Sequence, residues 1–391
     1  MFASIHAHPV VRQCAVISGG GVEGDSRRAR HGLGPATIIA RVLKIGSVQL
    51  DFPVVQAALA GYSDAPMRLI ARRMGAPYAM HEVVLDQTVV RPGKKKRLLF
   101  RPLAAEDHPI GGQLMGAEPG QLAEAAGLMA SAGYDVLDLN FGCPVKKVLG
   151  RCRGGYLLSD PPTAIEIMRV VREAVPREIP VTVKMRRGMD ASAASESGFF
   201  RILDAAFELG LAAATIHPRT VRQRYVGPSD WGFLTRVKCH VGDRTILGSG
   251  DLFGAPDIAR MLKQTGVDGV ALARGCIGNP WLFRDARELL SGRPVPALPA
   301  VPEQGCVIRA HYELSVREHG ERLAGRVMRK FAIKYAELHP YHERVRAAFV
   351  RVTSCDEWLA ALDEWYAPDR EWPPGRRKSG PGDLVAAGAE R

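Results

Sequence analysis

Cys143 sits in the stretch Asp138-Leu139-Asn140-Phe141-Gly142-Cys143-Pro144-Val145-Lys146-Lys147, with Arg151 and Arg153 close behind. A thiol beside several cations is in a setting that can tune its reactivity. A lone cysteine after a strand is ordinarily a buried structural residue, and two features argue against that here. The apolar run Tyr134 to Leu139 stops at Asn140, and Gly142 and Pro144 forbid a continued strand or an immediate helix. The thiol therefore lies at the carboxyl end of a strand, where α/β sheets and barrels place their sites. The loop that follows is also long, glycine-rich and basic, as a loop facing a polyanion would be.

Other chemistry-bearing residues recur at strand ends. Lys184 ends an apolar run, with Arg186 two residues on, and His217 ends another. The lysine is either a rim charge or a cation held against an electron-rich ligand. The histidine is a general acid or base candidate, or else a satisfied structural residue. Gly248, Gly250 and Asp251 end one run, and Arg274-Gly275 ends the next. Such turns are ordinary singly; paired before helices, they match the phosphate site that barrels build after their last two strands. A phosphate ligand, a lysine, a histidine and a cysteine on one rim suggest a flavin mononucleotide enzyme with an acidic thiol.

Those residues need a scaffold that delivers strand ends to one place. From Asp51 strand-like runs alternate with helical ones: Phe52 to Ala57, Tyr78 to Val84, Pro109 to Met115, Tyr134 to Leu139, Pro180 to Met185, Ala212 to His217, Arg244 to Gly248 and Gly269 to Ala273. The helical runs between them include Ala65 to Met74, Pro119 to Ala132, Pro162 to Val175, Phe199 to Leu209, Ala255 to Lys263 and Pro280 to Leu290. This rhythm predicts an α/β fold, a (β/α)8 TIM barrel over residues 46–292, followed by a smaller all-helical C-terminal domain.

Pro294, Pro296, Pro299 and Pro302 make residues 293–302 a stiff linker, and residues 303–367 are purely helical in pattern. Arg322, Arg326, Arg329, Lys330 and Lys334 recur at about helical spacing as one basic face; Leu323, Val327, Phe331 and Tyr335 form another. Ser354 and Glu357 make a capping box for a last helix. Residues 1–45 and 368–391 are expected to be disordered. Gly19, Gly21 and Gly24 match a dinucleotide pattern, but no apolar periodicity follows to supply its helix.

The sequence has 391 residues, 46% of them hydrophobic and 24% charged, as in ordinary globular proteins. No apolar run approaches the ~20 residues of a membrane span, and no apolar signal core opens the chain, so a soluble cytoplasmic protein is expected. The net charge of +12 points to an anionic partner, nucleic acid above all. A solvated helix surface is the common fate of a basic face, but this one lacks interleaved acids, which favours RNA. The 7 cysteines form no CxxC pair, so neither a disulfide framework nor a metal site is expected.

At this point the chain resembles the tRNA-dihydrouridine synthase family, over about Val48 to Tyr366. The resemblance is carried by Ala60-Gly61-Tyr62-Ser63-Asp64, Gln113-Leu114-Met115-Gly116, Asn140-Phe141-Gly142-Cys143-Pro144, Val183-Lys184-Met185-Arg186, His217-Pro218-Arg219-Thr220, Gly248-Ser249-Gly250-Asp251 and Ala273-Arg274-Gly275 with Gly278-Asn279-Pro280-Trp281. The Asn-x-Gly-Cys-Pro stretch is the most specific of these. The chain departs from the family in having Ala58-Leu59 for Pro-Met and Ser249 for Asn.

The resemblance implies that NADPH reduces FMN, that hydride passes to C6 of a uracil, and that Cys143 protonates C5. It assigns Ala58, Leu59, Ala60, Gln113, Lys184, His217, Ser249, Gly250, Asp251, Ala273 and Arg274 to the cofactor, and Asn140 and Arg186 to the uracil. Arg326 and Lys330 would grip the tRNA, while Lys146, Lys147, Arg151 and Arg153 would face its phosphates rather than the sulfur. A dihydroorotate- or dihydropyrimidine-type dehydrogenase would not need the basic helical tail. A non-catalytic RNA-binding barrel would be colourless.

Overall fold

The computed structural model describes residues 42–91, 93 and 103–378. The glycines near residue 20, the basic sequence Lys94-Lys95-Lys96-Arg97 and residues 379–391 lie outside the described residues.

The chain opens with a hairpin, β1 (Leu43–Ile45) and β2 (Val48–Leu50), paired antiparallel. The strands β3 (Val54–Gln56), β4 (Ala79–Met80), β5 (Val84–Leu85), β6 (Ile110–Met115), β7 (Val136–Phe141), β8 (Val181–Arg186), β9 (Ala213–His217), β10 (Ile246–Gly248) and β11 (Gly269–Leu272) follow. Apart from β5, which pairs only with β6, they form a closed ring of eight parallel strands: β11 pairs with β3, and β4 pairs with β6. This is the expected TIM barrel, and each of the eight expected strand runs overlaps one ring strand, with β7 and β8 extending beyond theirs to Phe141 and Arg186.

The register then decides the site. Gln113 lies opposite Asp138, Asp138 opposite Thr182, Asn140 opposite Lys184, Lys184 opposite Thr215, and Arg186 opposite His217. Parallel partners share a face and side chains alternate along a strand. These polar side chains therefore all enter the barrel interior, while Leu137, Leu139, Val181, Val183 and Met185 join the core under the helices. A second, smaller core fills the other end of the interior, where Leu43, Ile45 and Leu50 pack with Val55, Tyr78, Val136, Ala213, Leu247 and Ala271.

That hairpin corrects the expected disorder at residues 43–45, because Leu43 is 1% exposed and Ile45 3%; residues 1–41 lie outside the described residues. Three-residue strands are too short to register as an alternating run. The helix Trp231–Val241 has no counterpart among the expected helical runs, and the helix expected at Phe199 begins at Ala193, where Ser192 caps the Ser195 N–H. Its first turns are small and polar, so they carry no apolar signal.

Four helices, Val301–His319, Glu321–Tyr335, His342–Arg351 and Cys355–Trp365, follow the barrel. The first has Pro302 in its opening turn, where a missing N–H costs nothing. Ser354 caps the last one, and Glu357 reaches back to the Thr353 N–H. Leu314 packs on Leu69 and Ile70 of the barrel helix Ala65–Arg73, and the rings of Tyr62 and Phe331 meet edge to face at 5.5 Å. Residues 368–378, expected to be disordered, are instead held: Trp372 donates to Ala367 O, and the Arg376 N–H to Leu338 O. Among the described residues no helix is long and apolar enough to cross a membrane.

Candidate active site

A cavity of about 320 Å³ opens at the carboxyl ends of the barrel strands. Ala58, Leu59, Ala60, Gln113, Asn140, Cys143, Lys184, Arg186, His217, Ser249, Gly250, Asp251, Ala273 and Arg274 all line it. Arg326 and Lys330 do not; they lie on the helix Glu321–Tyr335.

The floor is a hydrogen-bonded chain between neighbouring strands. Gln113 Nε2 donates to Asp138 Oδ2 at 2.7 Å, Thr182 Oγ1 donates to the other oxygen at 2.6 Å, and Asn140 Nδ2 donates to Gln113 Oε1 at 2.7 Å. Burial pushes the Asp138 carboxyl up to about 6, against the lowering effect of those two donors and Lys184. Burial also draws the Lys184 ammonium down to about 8; Arg186 adds to the effect and Asp138 opposes it. Near neutral pH both groups remain mostly charged, opposite in sign.

Asn140 also fixes the loop that carries the thiol. Its Oδ1 accepts the N–H groups of Gly142 (3.0 Å) and Cys143 (3.1 Å), the local turn that an Asn side chain makes where a strand ends. Arg186 holds the same loop from the next strand: its Nε donates to Gly142 O at 3.0 Å, and Nη1 to Thr220 O and Arg224 O. The side chains expected to face a substrate are thus engaged in positioning Cys143. Lys146, Lys147 and Arg151 are exposed, but Arg153 turns inward, 3.6 Å from the buried Asp86.

His217 is pushed well below its ordinary value by burial and by Lys184, Arg186, Arg219 and Arg274. Its Nδ1 accepts the Arg219 N–H at 3.2 Å, so the neutral ring carries its proton on Nε2. That makes His217 a hydrogen-bond donor to the cavity and a poor source of protons.

The turns after β10 and β11 close together. At Gly275 an added Cβ would stand 2.0 Å from Leu252 O, and at Gly250 (φ +112°) 2.4 Å from Ser229 Oγ. Only glycine permits either approach. Asp251, also left-handed (φ +55°), spends its carboxylate on Arg219 (2.5 Å) and the Ser229 N–H (2.9 Å), which leaves this cation-rich corner suited to an anion.

Sequence reasoning assigned no role to three residues here. Asp138 orients Gln113; its signal is a carboxylate inside an apolar strand, where an unpaired charge is costly. Tyr225 belongs to an aperiodic loop that offers no signal, and Arg219 stands in the motif His217-Pro218-Arg219-Thr220 without a role of its own. The Tyr225 ring lies 4.3 Å from the Arg274 guanidinium carbon and 5.2 Å from that of Arg186, and it forms a wall of the cavity.

A closed parallel barrel whose polar cavity lies at the strands' carboxyl ends is a (β/α)8 enzyme in architecture. The chain belongs to the dihydrouridine synthase family, whose model, described as "Dihydrouridine synthase (Dus)", matches residues 55–368; these are flavin-dependent oxidoreductases that act on tRNA uridines. A "Probable tRNA-dihydrouridine synthase" of Mycobacterium tuberculosis (strain H37Rv) is 34% identical over 324 residues, covering 81% of this chain and 82% of that one. The "tRNA-dihydrouridine synthase B" of Xanthomonas axonopodis pv. citri is 31% identical over 318 residues, covering 81% and 94%. Among solved structures, histamine dehydrogenase from Rhizobium sp. 4-9 shares the fold, with a TM-score of 0.51 and 14% identity across 69% of this chain and 51% of that chain.

Proposed function

We propose that this protein reduces the C5–C6 bond of uridines in cytoplasmic tRNA, with FMN as bound cofactor, NADPH as reductant and Cys143 as proton donor. The observation that carries the reading is the gathering of Gln113, Lys184, His217, the Gly250 and Gly275 turns and Cys143 on one cavity.

The donor set fits FMN. Lys184, the His217 Nε2–H and the unused Gln113 N–H are all donors, matched to a ring rich in acceptors. Gly250 and Gly275 let the two turns pack closely, since a Cβ at either would strike Ser229 Oγ or Leu252 O, and both glycines line the cavity beside Arg274. Ser249, Gly250, Asp251, Ala273 and Arg274 would hold the phosphate end, and Ala58, Leu59 and Ala60 would border the ring. When bound, the flavin supplies hydride to C6 of the uracil. Cys143 holds a proton at Sγ and delivers it to C5, so that the hydride at C6 and the proton at C5 together complete the two-electron reduction. The resulting thiolate regains its proton from solvent. A paired or stacked uridine must be flipped out to reach the cavity. Purified protein should be yellow and release FMN on denaturation; protein that stays flavin-free in excess FMN would overturn the assignment.

Lys184 makes the cofactor site sensitive to alkali. Its folded pKa of about 8 lies below the ordinary 10.5, so its charge is present at neutral pH and lost as pH rises past about 8. FMN affinity, followed by quenching of flavin fluorescence, should fall between pH 7 and pH 9.5 on the order of the change seen on Lys184→Met, and the variant should be flat across that range. An equally steep profile in the variant would place the titrating group elsewhere.

On the RNA side, the basic face divides. Lys330 Nζ donates to Gly61 O, Lys334 pairs with Glu337 at 2.8 Å, and Arg329 reaches Val352 O. Arg322 and Arg326 are exposed and lack an ion pair among the described residues, so they suit tRNA phosphates. The double variant Arg322→Glu/Arg326→Glu should weaken tRNA binding and reduce the slope of log K against log salt by about 1 to 2. An unchanged slope in a filter-binding titration would move the RNA contact to another surface.

A further inference from the structure

The C-terminal segment reaches back into the cofactor end of the barrel. Lys378, beyond residue 368 where the family match ends, has a side chain only 5% exposed. Its Nζ donates to Arg274 O at 3.1 Å and to Ile277 O at 2.5 Å, and lies 3.5 Å from Glu337 Oε2. Arg274, Gly275 and Ile277 all line the cavity. The same turn is pinned from the helical side, where a Cβ on Gly278 would stand 2.4 Å from the Lys334 carbonyl carbon. The segment is fixed in turn by the Arg376 N–H, which donates to Leu338 O at 2.8 Å, and by the Arg376 guanidinium, which donates to His342 Nδ1.

We propose that Lys378 is a positioning residue for the cofactor: its ammonium ties the turn Arg274–Ile277 to the C-terminal segment and holds it in the shape that receives the phosphate. The role rests on the FMN reading of the cavity. Two carbonyls aimed at one buried cation give the turn a fixed spacing, and a methionine of similar length leaves both acceptors without that donor. Charge-assisted bonds are the strong ones, so one lost tie weakens retention about tenfold or more.

The test compares the full-length protein with Lys378→Met and Lys378→Arg, at a temperature where circular dichroism finds all three folded. FMN dissociation is followed by recovery of flavin fluorescence, and amide hydrogen exchange is measured on the flavin-free proteins. The expected result is faster FMN release and faster exchange confined to residues 273–278 in Lys378→Met, with Lys378→Arg restoring both toward the wild type. Wild-type release and exchange in Lys378→Met would overturn the tether. A wild-type protein that binds no FMN would overturn the cofactor reading, and the tether's role in retention with it.

Discussion

Cys143→Ala is expected to slow dihydrouridine formation by roughly 10²–10⁴-fold, the usual contribution of a positioned proton donor. FMN content, NADPH oxidation and tRNA affinity should stay at wild-type levels. The separation follows from how the loop is held. The Gly142 and Cys143 N–H groups bond to Asn140, Cys143 O accepts the Gly155 N–H at 3.1 Å, and Arg186 anchors Gly142 O. None of these contacts involves the thiol, and alanine keeps them all. Only the proton at Sγ is removed. His217 does not substitute for it, because its cationic form is suppressed by burial and four neighbouring cations. Wild-type dihydrouridine formation by the alanine variant would remove Cys143 from the mechanism.

The largest stability effect is expected far from the thiol. Arg68→Ala should cost up to about 3–5 kcal/mol, the usual effect of breaking a buried ion pair, with Arg72 Nε at 3.6 Å left as the remaining partner of Asp107. Arg68 and Asp107 side chains are each 2% exposed, and Nε and Nη2 of the arginine both engage the carboxylate, Nη2 at 2.5 Å. Arg68 Nη1 also donates to Ser63 O at 2.8 Å, and Ser63 Oγ accepts the Leu59 N–H at 2.9 Å. The segment Ala58–Ala60 at the cavity wall therefore hangs on this ion pair. The variant should lose FMN affinity as well as stability. Urea unfolding gives the first quantity and a flavin titration the second. A loss below about 1 kcal/mol would mean that water or a neighbouring group takes over the partner's charge.

How much of this was legible depended on distance along the chain. The barrel strands announced themselves locally, as apolar runs ending in polar residues such as Asn140, Lys184 and His217. The residues that line the cavity were named from those ends and from the family resemblance. Their partnerships were not legible. Gln113 and Asp138 lie 25 residues apart, and only the strand register makes them neighbours. Helical spacing grouped Lys330 with Arg326, but it could not tell that Lys330 would reach Gly61, 269 residues away, while Arg326 stays exposed. Leu323, read as part of the apolar face, is 42% exposed because the buried stripe runs through Ala324, Met328, Phe331 and Tyr335. The tail failed in the other direction: a Pro-, Gly- and Arg-rich composition reads as disorder, yet Lys378 finds two carbonyls at the barrel's rim.

The central claim is that this chain makes dihydrouridine in tRNA, and nucleoside analysis of tRNA from cells lacking the protein tests it most directly. Dihydrouridine should be missing from at least one position, restored by the wild-type chain and not by Cys143→Ala. A full complement of dihydrouridine in those cells, together with no dihydrouridine formed when the purified FMN-loaded protein, NADPH and their tRNA are combined, would contradict the account.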